Sequence, residues 1–477
     1  MNTDAPWPSV EDAQARVLEI QTKLHRWSGE QSARRFDDLY NLVCDPAFLL
    51  VAWHRVRGNR GARSAGVDNE SAYTIEQRRG TEVFLRELRA QLKQRRFMPV
   101  PVRERLIPKA DGRKRRLGIP TVRDRVVQAA VKLVLEPIFE ADFQPCSYGF
   151  RPKRRAQDAI ADIHFFTSRK YEWIVEADIE ACFDRIDHTA LMGRVRKRIG
   201  DKRILSLVKA FLKAGLLTEL GDRQATHTGT PQGGILSPLL ANIALSTLDE
   251  HFAQSWQATM GTVMRRRTRR RKGLGCWRLV RYADDFVIMV AGSRDNAQAL
   301  LAEVATVLAP LGLNLAPQKT RVVHVNDGFD FLGFHIRRRR KRGTDKWHTY
   351  TYPSRKSLRS VRAKVRGLTC RSITSMPPWL MLSRVSALVR GWASYFRHGV
   401  SKACFSKLDS FVWRRFTRWL RKRHPHVPWR RLARMYMQRW RIVINGRELF
   451  YAASIPVTRY RYRGTMIPTP WTTVASV

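Results

Sequence analysis

Two adjacent aspartates, Asp284 and Asp285, interrupt a stretch of apolar residues in the second half of the chain. Short apolar runs on both sides of such a polar break predict a buried β-hairpin whose tip carries the two carboxylates. Aspartate tolerates the left-handed backbone conformation that a tight turn often requires. Because adjacent carboxylates repel each other unless a cation joins them, this tip has the chemistry of a divalent-metal site for phosphoryl transfer.

A third carboxylate, Asp178, closes another apolar run, which spans residues 173–177. Nucleotidyl transfer needs two metal ions roughly 4 Å apart, held by carboxylates from separate strands, to activate a hydroxyl and hold the leaving pyrophosphate. Asp178, Asp284 and Asp285 supply that chemistry. Acidic residues at strand ends are common, so the spacing of these three aspartates alone does not establish a metal site. Motifs elsewhere in the chain are needed to distinguish the two interpretations.

The periodicity of apolar residues predicts the elements that would position these carboxylates. Strands are predicted at residues 102–107, 115–119, 173–177 and 329–336, and helices at residues 81–96, 122–139, 237–250 and from about 295 to 310. Thr121 and Ser293 are expected to cap two of these helices. A predicted turn at residues 109–112 joins the first two strands.

The charge of the chain is strongly positive. Its 477 residues include 88 Lys and Arg against 41 Asp and Glu, which gives a formal net charge of +47. That excess predicts nucleic acid as a partner, because bound cations displace its counterions. A membrane partner is not expected, since no apolar run approaches the ~20 residues that span a bilayer. Six scattered cysteines without a Cys-x-x-Cys pair argue against a zinc ribbon or a disulfide framework and, with no visible secretion signal, favour a cytoplasmic location.

Basic residues are concentrated in three runs, at residues 265–272, 337–342 and 414–423. Each run is either a solvated face or an RNA contact, and the net charge favours the second interpretation. A Gly/Arg-rich segment at residues 57–66 is either a loop or an element whose backbone binds phosphates. The chain becomes helical, basic and Trp-rich beyond about residues 340–355, where we place a domain boundary.

An ordered series of motifs resembles the reverse transcriptases encoded by bacterial group II introns. The polymerase motifs are at residues 106–109 (LIPK), 147–152 (SYGFRP), 178–184 (DIEACFD), 229–238 (GTPQGGILSP), 282–285 (YADD) and 331–334 (FLGF). Residues 390–396 (RGWASYF) and 411–415 (FVWRR) resemble the thumb, or maturase, domain of the same family. The resemblance covers about residues 40–440.

The resemblance implies an α+β chain with the right-hand polymerase fold, in which fingers and a palm built on an antiparallel sheet precede an α-helical thumb/maturase domain. The expected boundaries are residues 1–75 for an N-terminal extension, 76–345 for the fingers and palm, 346–440 for the thumb/maturase (X) domain and 441–477 for a short tail. The tail lacks cysteine and the His-Asn-His nuclease that often follows the thumb. We therefore expect that this chain does not itself cut the second target strand.

The resemblance also implies roles for the acidic motif residues. Asp178, Asp284 and the main-chain carbonyl of Ile179 would hold two Mg²⁺ ions. Asp285 would contribute charge or a hydrogen bond to catalysis rather than direct ligation. Asp184 is expected to be structural.

Further motif residues are implied to contact the substrates. Phe183 would exclude a ribose 2′-OH from the nucleotide site, with plain core packing as the alternative. Lys109 and Arg115 would clamp the triphosphate, unless they are solvated turn charges. Gln232 would approach the nucleotide or the template, in a segment whose glycines permit close contact. Lys319 would contact a phosphate or the metal site, and an ordinary surface lysine is an equally good interpretation.

These features predict an RNA-directed DNA polymerase that copies group II intron RNA into cDNA by two-metal nucleotidyl transfer. It would also bind that RNA to assist splicing and mobility. The expected partners are the intron RNA, an RNA template with its DNA primer, target DNA and dNTPs. The alternatives are a maturase that acts mainly as an RNA-binding splicing factor and a related reverse transcriptase adopted for defence or repair. The three intact carboxylates argue against a pure binding protein.

Overall fold

A computed structural model describes residues 7–108, 112 and 114–472, and its elements are numbered along the chain. The α-helices are α1 Val10–Glu30, α2 Tyr40–Val43, α3 Pro46–Gly58, α4 Ala72–Arg78, α5 Thr81–Lys93, α6 Val122–Asp142, α7 Ala156–Thr167, α8 Cys182–Arg185, α9 His188–Arg198, α10 Lys202–Leu212, α11 Ser237–Met260, α12 Val263–Arg271, α13 Arg294–Leu308, α14 Arg355–Leu368, α15 Pro378–Phe396, α16 Lys402–Arg423 and α17 Trp429–Tyr436. The strands are β1 Val102–Pro108, β2 Lys114–Ile119, β3 Trp173–Ala177, β4 Leu216–Leu217, β5 Arg223–Gln224, β6 Cys276–Tyr282, β7 Asp285–Ala291, β8 Arg321–His324, β9 Phe329–Phe331, β10 Phe334–Arg340, β11 Trp347–Pro353, β12 Met437–Gln438, β13 Arg441–Ile444 and β14 Arg447–Glu448. Within the described residues, no helix combines the length and the apolar character needed to cross a membrane.

The N-terminal helices pack on α6, which is buried along most of its length. Pro137 lies inside α6 and lacks an N–H, so the carbonyl of Leu133 one turn earlier has no helical donor. The side chain of Gln21 in α1 supplies that donor, with its Nε2 atom 2.6 Å from the Leu133 oxygen. The predicted cap of α6 is confirmed, because the Thr121 hydroxyl accepts the N–H of Asp124 at 3.1 Å.

The central sheet has the strand order β6-β7-β3-β8, with every neighbouring pair antiparallel. Strand β7 is buried on both faces after Asp285, which explains why residues 286–291 form a continuous apolar run rather than an alternating one. Strand β6 is also largely buried, but Arg278 and Arg281 interrupt its apolar residues. Helices α7, α11 and α13 pack against this sheet. The hairpin predicted around Asp284 is therefore confirmed, as is the strand predicted at residues 173–177.

The predicted strands at residues 102–107 and 115–119 are confirmed as the antiparallel pair β1–β2. Strand β4 pairs with β1 in parallel and β5 pairs with β4, which completes a second four-stranded sheet, the hairpin sheet. The turn between β1 and β2 was expected to carry Lys109. That residue lies outside the described residues.

The single strand predicted at residues 329–336 is wrong, because the chain reverses within it. Leu332 and Gly333 adopt positive φ angles of 48° and 79° and separate β9 from β10, which pair with each other. Because apolar residues continue through this turn, the periodicity of apolar residues does not reveal it. Strand β10 continues to Arg340 and pairs with β11, so part of the basic run at residues 337–342 is strand.

Beyond β11 the chain is helical through α14 to α17, as predicted from the composition change. Trp419 of α16 is 1% exposed and belongs to the packing of these helices. The segment after residue 441 forms short strands and then returns across the molecule. Arg463 pairs with Asp158 of α7 at 2.7 Å, and the Trp471 indole N–H donates to Gln21 of α1 at 3.2 Å.

Candidate active site

The turn of the β6–β7 hairpin presents the paired aspartates. Tyr282 pairs with Asp285 across the hairpin, so Ala283 and Asp284 form its two-residue turn. The left-handed residue is Ala283, with a φ of 58°, rather than an aspartate. A left-handed alanine costs roughly 1–2 kcal/mol, so the surrounding structure must hold this turn in place.

Asp178 lies beside this turn because of the strand register. Ala177 of β3 pairs with Phe286 of β7, and one further step along the antiparallel pair places Asp178 opposite Asp285. Directly opposed residues in such a pair have Cα atoms about 5 Å apart. The structure therefore brings the three predicted carboxylates to one edge of the central sheet.

The pKa values reflect this crowding of negative charge. Burial, and then repulsion by Asp178, raises the pKa of Asp284, while Arg115 and Lys319 act in the opposite direction. Burial, followed by repulsion from Asp284 and Asp178, raises the pKa of Asp285 to about 6. A bound cation would relieve this repulsion.

The predicted oxygen ligands fit a divalent cation that is held partly by the main chain. Within the described residues, no three His, Cys, Asp or Glu side chains are grouped so that they could hold a metal ion by themselves. Mg²⁺ commonly takes only one or two carboxylates and completes its shell with water and substrate phosphates. Two carboxylates with a main-chain carbonyl, as predicted for Asp178, Asp284 and Ile179, meet that requirement.

The main chain around Ile179 supports this arrangement. The main-chain carbonyl of Asp178 accepts the N–H of Ala316 at 2.8 Å, and Glu180 donates its N–H to the main-chain carbonyl of Asn314 at 2.9 Å. Because main-chain groups alternate in direction along an extended segment, the carbonyl of Ile179 faces the opposite side, toward β7. The carbonyl therefore lies on the side of the aspartates.

Lys319 belongs to the same site. The segment 314–316 runs alongside residues 178–180, and this pairing brings Lys319 within reach. Its Nζ atom lies 2.6 Å from Oδ2 of Asp178. Lys319 is thus an exposed lysine that pairs with a predicted metal ligand, and its contact with a substrate phosphate stays a prediction.

Arg115 and Gln232 link the hairpin sheet to the carboxylate site. The Arg115 Nε atom donates to Oε1 of Gln232 at 2.7 Å, and Gln232 Nε2 donates to Oδ2 of Asp184 at 3.2 Å. Gly233 adopts a φ of 119°, and a Cβ atom there would lie 2.5 Å from the carbonyl oxygen of Gly118 in β2. Gly233 is therefore required by its close approach to β2, and the approach of this segment to a nucleotide or template stays a prediction.

Phe183 lies on α8, immediately after the carboxylate segment. Its side chain is half-buried, and its ring packs edge-on against Phe150 with centroids 6.4 Å apart. Its carbonyl accepts the N–H of Thr230 at 2.6 Å, which ties α8 to the segment that carries Gln232. The partial exposure of the ring is compatible with a nucleotide contact.

Arg281 is a positioning residue that the sequence reasoning missed. It is completely buried, as is its partner Asp249 of α11, and the Nε atom donates to Oδ1 of that carboxylate at 2.8 Å. The Nη1 atom donates to the carbonyl of Ala283 at 2.8 Å, and Nη2 donates to Ser147 Oγ at 2.8 Å. Arg281 thus holds the strained turn. Strand β6 carries two arginines, Arg278 and Arg281, among apolar residues, and a charged side chain inside a buried strand was the signal for a buried partner.

Gly149 is the second missed residue. Tyr148 donates its N–H to Arg281 at 2.8 Å, so the segment 147–150 lies against the hairpin. A Cβ atom at Gly149 would lie 2.2 Å from the backbone nitrogen of Ala283. Only glycine allows this contact without moving the turn.

A cleft of about 800 Å³ extends from Asp285 to the C-terminal helices. Its walls include Lys356 and Lys364 of α14 and Trp392 and Tyr395 of α15. The Tyr395 hydroxyl donates to the carbonyl of Leu332 at 2.9 Å, which fixes α15 against the β9–β10 turn. Cationic and aromatic walls beside a carboxylate site suit a nucleic-acid strand.

Comparison with known proteins yields two family matches. Residues 107–336 match the sequence model described as reverse transcriptase (RNA-dependent DNA polymerase). Residues 358–440 match the group II intron, maturase-specific domain. The motifs that contain Asp178, Gln232 and Asp284 all lie within the first match.

Individual relatives agree with these matches. Protein YkfC of Escherichia coli is 34% identical over 374 residues, which cover 73% of this chain and 97% of that protein. The group II intron-encoded protein LtrA of Lactococcus lactis is 32% identical over 371 residues, covering 68% of this chain and 60% of LtrA. An uncharacterized 91 kDa protein in the cob intron of Schizosaccharomyces pombe is 32% identical over 330 residues, covering 60% of this chain and 40% of that protein.

Proposed function

Because the chain belongs to the group II intron reverse transcriptase/maturase family and is an RNA-directed DNA polymerase, we propose that it copies intron RNA into cDNA and binds that RNA to assist splicing and mobility. The family resemblance drawn from the motifs is confirmed. The observation that carries the proposal is the register that places Asp178 opposite Asp285, beside the turn that contains Asp284.

In this proposal Asp178, Asp284 and the Ile179 carbonyl form the binding site for two Mg²⁺ ions. When bound, the ions would activate the primer hydroxyl and stabilise the leaving pyrophosphate. Lys319 donates to Oδ2 of Asp178, and no hydrogen bond to Oδ1 of Asp178 is made by any other described residue. Asp285 adds negative charge beside the site, and its raised pKa makes that contribution decline as the pH falls toward about 6.

The incoming dNTP would lie between the hairpin sheet and the carboxylates. Arg115 already points its guanidinium at Gln232 in this space, and with Lys109 it would bind the triphosphate. Gln232, which is hydrogen-bonded to Arg115 and Asp184, would contact the nucleotide or the template base. Phe183 would lie under the sugar and reject a 2′-OH.

Phe183→Val is expected to admit ribonucleotides. Removing the ring opens space for the 2′-OH, and one relieved steric contact is worth about 1–3 kcal/mol. Discrimination between dNTP and rNTP, measured by competitive incorporation, should fall by roughly tenfold to a hundredfold. Phe166→Val, which alters another half-buried ring, serves as the control. If Phe183→Val discriminates between dNTP and rNTP as well as the wild type does, a different residue excludes the ribose 2′-OH.

Gly149→Ala is expected to reduce DNA synthesis about a hundredfold while the chain stays folded. The new methyl group would displace Ala283, and a shift of about 1 Å in a catalytic turn can have an effect of that size. Gly29→Ala is the matched control, because a Cβ atom there meets nothing within 4 Å. Primer extension and thermal melting of both variants provide the measurement. Normal synthesis by Gly149→Ala would show that the turn tolerates displacement.

RNA binding by the proposed maturase is supported by the distribution of cations. Helix α12, which carries the basic run at residues 265–272, has no buried residue. Arg265, Arg266 and Arg269 donate to backbone carbonyls nearby, so part of the run is structural. Arg267, Arg270 and Arg271 are exposed and are the better candidates for RNA contacts.

The triple variant Arg267→Gln, Arg270→Gln, Arg271→Gln is expected to weaken intron RNA binding more than primer extension on a generic template. Each lost phosphate contact should reduce the slope of log affinity against log salt by roughly 0.7. Filter binding across a salt series is the measurement. The control replaces Lys23, Arg26 and Arg86, three exposed cations on α1 and α5. Equal slopes for the two triple variants would make α12 a solvated helix.

The maturase part of the proposal has its own experiment. Self-splicing of a group II intron RNA is measured at low Mg²⁺ concentration with and without the purified protein. The proposal expects the protein to accelerate splicing. If the protein extends primers but leaves splicing unchanged, the polymerase part of the proposal stands and the maturase part is wrong.

A further inference from the structure

A second groove, which we name the α7 groove, lies outside the carboxylate site. It has a volume of about 890 Å³. Its walls are α7, strand β11, the loop at residues 398–402 and the returning C-terminal segment at residues 457–462. None of its lining residues lines the cleft beside Asp285. The two spaces are separated by a ring contact between Phe334, which lines the α7 groove, and Phe396, which lines the cleft.

The α7 groove is strongly basic. Its lining cations are Arg169, Lys341, Lys402, Arg459 and Arg461, and no acidic residue is found among the described residues that line it. Lys402 donates to the carbonyl of Ala453 at 2.7 Å and is therefore structural. In contrast, Lys341 and Arg461 are exposed and have no side-chain hydrogen bond or ion pair within the described part of the chain. Such unpaired cations favour an anionic ligand.

Aromatic rings are interleaved with these cations. Phe165 stacks on Tyr462 with centroids 4.2 Å apart and planes inclined by 17°, and the Arg169 guanidinium lies 3.5 Å from the Phe165 centroid. His348 and Tyr350 follow along β11 with ring centroids 6.4 Å apart. Cations beside half-exposed rings suit a strand whose phosphates and unstacked bases are both accessible.

A polar group in the wall also lacks a partner. Thr349 lines the α7 groove and is 5% exposed, and its hydroxyl has no hydrogen-bond partner in the described structure. A buried hydroxyl without a partner is costly. The hydroxyl oxygen is itself covered, so a ligand would reach it only after a small shift of the wall, and a ribose 2′-OH would then offer it both a donor and an acceptor.

We propose that the α7 groove binds a single-stranded RNA segment of a few nucleotides, separately from the template in the catalytic cleft. Lys341, Arg459 and Arg461 contact its phosphates, and the rings of His348 and Tyr350 on β11 receive its bases. The proposal rests on the proposed function only in taking RNA as the polyanion. The groove joins α7 to the returning C-terminal segment, so RNA bound there also fastens that segment to the central domain.

The test first saturates the catalytic cleft with primer–template duplex and then measures the binding of a labelled RNA at the α7 groove. The full-length protein is saturated with an unlabelled RNA template–DNA primer duplex. A fluorescent single-stranded RNA ten-mer is then titrated and its anisotropy recorded, with a DNA ten-mer of the same sequence in parallel. The test variant is a double substitution that combines Lys341→Gln with Arg461→Gln. The matched control is a double substitution that combines Lys23→Gln with Arg86→Gln. Both double variants remove two exposed cations.

The RNA ten-mer is expected to bind the wild type and the control equally and to bind Lys341→Gln, Arg461→Gln at least tenfold more weakly. The salt slope of that variant should fall by roughly 1.4, since each single-strand phosphate contact contributes about 0.7. Primer extension by both variants should be unchanged. Equal affinity of the two double variants for RNA, or equally tight binding of the DNA ten-mer to the wild type, would overturn the proposal. Failure of the proposed function would instead appear as lost primer extension in the wild type.

Discussion

Asp284→Ala is expected to abolish cDNA synthesis while leaving the affinity for intron RNA within about twofold. Metal binding is concentrated at one turn, whereas RNA contacts are spread over many Arg and Lys side chains. Losing one of the two carboxylate ligands should reduce the rate by at least about a thousandfold, equivalent to ~4 kcal/mol of transition-state stabilisation. Primer extension on an RNA template and filter binding of intron RNA are measured on the same preparation.

Asp295→Ala is the matched control, since Asp295 is an exposed carboxylate in the first turn of α13. It removes the same charge far from the turn and should leave both activities intact. Circular dichroism verifies the fold of each variant. If Asp284→Ala lost assisted splicing as completely as DNA synthesis, with its fold intact, the two functions would share the carboxylate site.

Arg281→Met is expected to cause the largest loss of stability. The substitution leaves Asp249 buried with no cation beside it, and breaking a buried pair in this way typically costs about 3–5 kcal/mol. Denaturant unfolding gives the change in the free energy of unfolding. Arg441→Met, which breaks an exposed pair with Glu448, should cost no more than about 1 kcal/mol.

The double variant Arg281→Met, Asp249→Leu separates charge burial from positioning. Stability should recover in part, because two apolar side chains replace a buried ion pair. DNA synthesis should stay low, because the carbonyl of Ala283 still lacks its donor. Recovery of synthesis together with stability would show that Arg281 acts only through stability. An Arg281→Met variant as stable as Arg441→Met would contradict the role assigned to the buried pair.

The elements around the carboxylates were predictable because their patterns are local. Strand β3 and the β6–β7 hairpin are apolar runs that end at aspartates, and the hydroxyl caps Thr121 and Ser293 mark two helix starts. The turn at Leu332 and Gly333 was missed because apolar residues continue through it. Its backbone angles are set by the pairing of β9 with β10, which periodicity does not reveal.

Side-chain partners across long sequence separations were not predictable. Lys319 reaches Asp178 only because residues 314–316 pair with residues 178–180. Arg281 finds Asp249 because α11 packs on β6. The C-terminal segment was expected to be a short tail, and only tertiary contacts reveal its return to α7 and α1. Motif resemblance proposed the site residues, and three-dimensional contacts were needed to show which side chains pack and hydrogen-bond around them.

We propose that the carboxylates beside the β6–β7 turn catalyse RNA-templated DNA synthesis. The most direct test is extension of a DNA primer on an RNA template by the purified chain with Mg²⁺ and dNTPs. We expect a full-length cDNA product from the wild type, no product when EDTA is added, and no product from Asp178→Asn. A folded wild-type protein that binds the primer–template duplex but adds no nucleotide in Mg²⁺ would show that these carboxylates do not catalyse DNA synthesis.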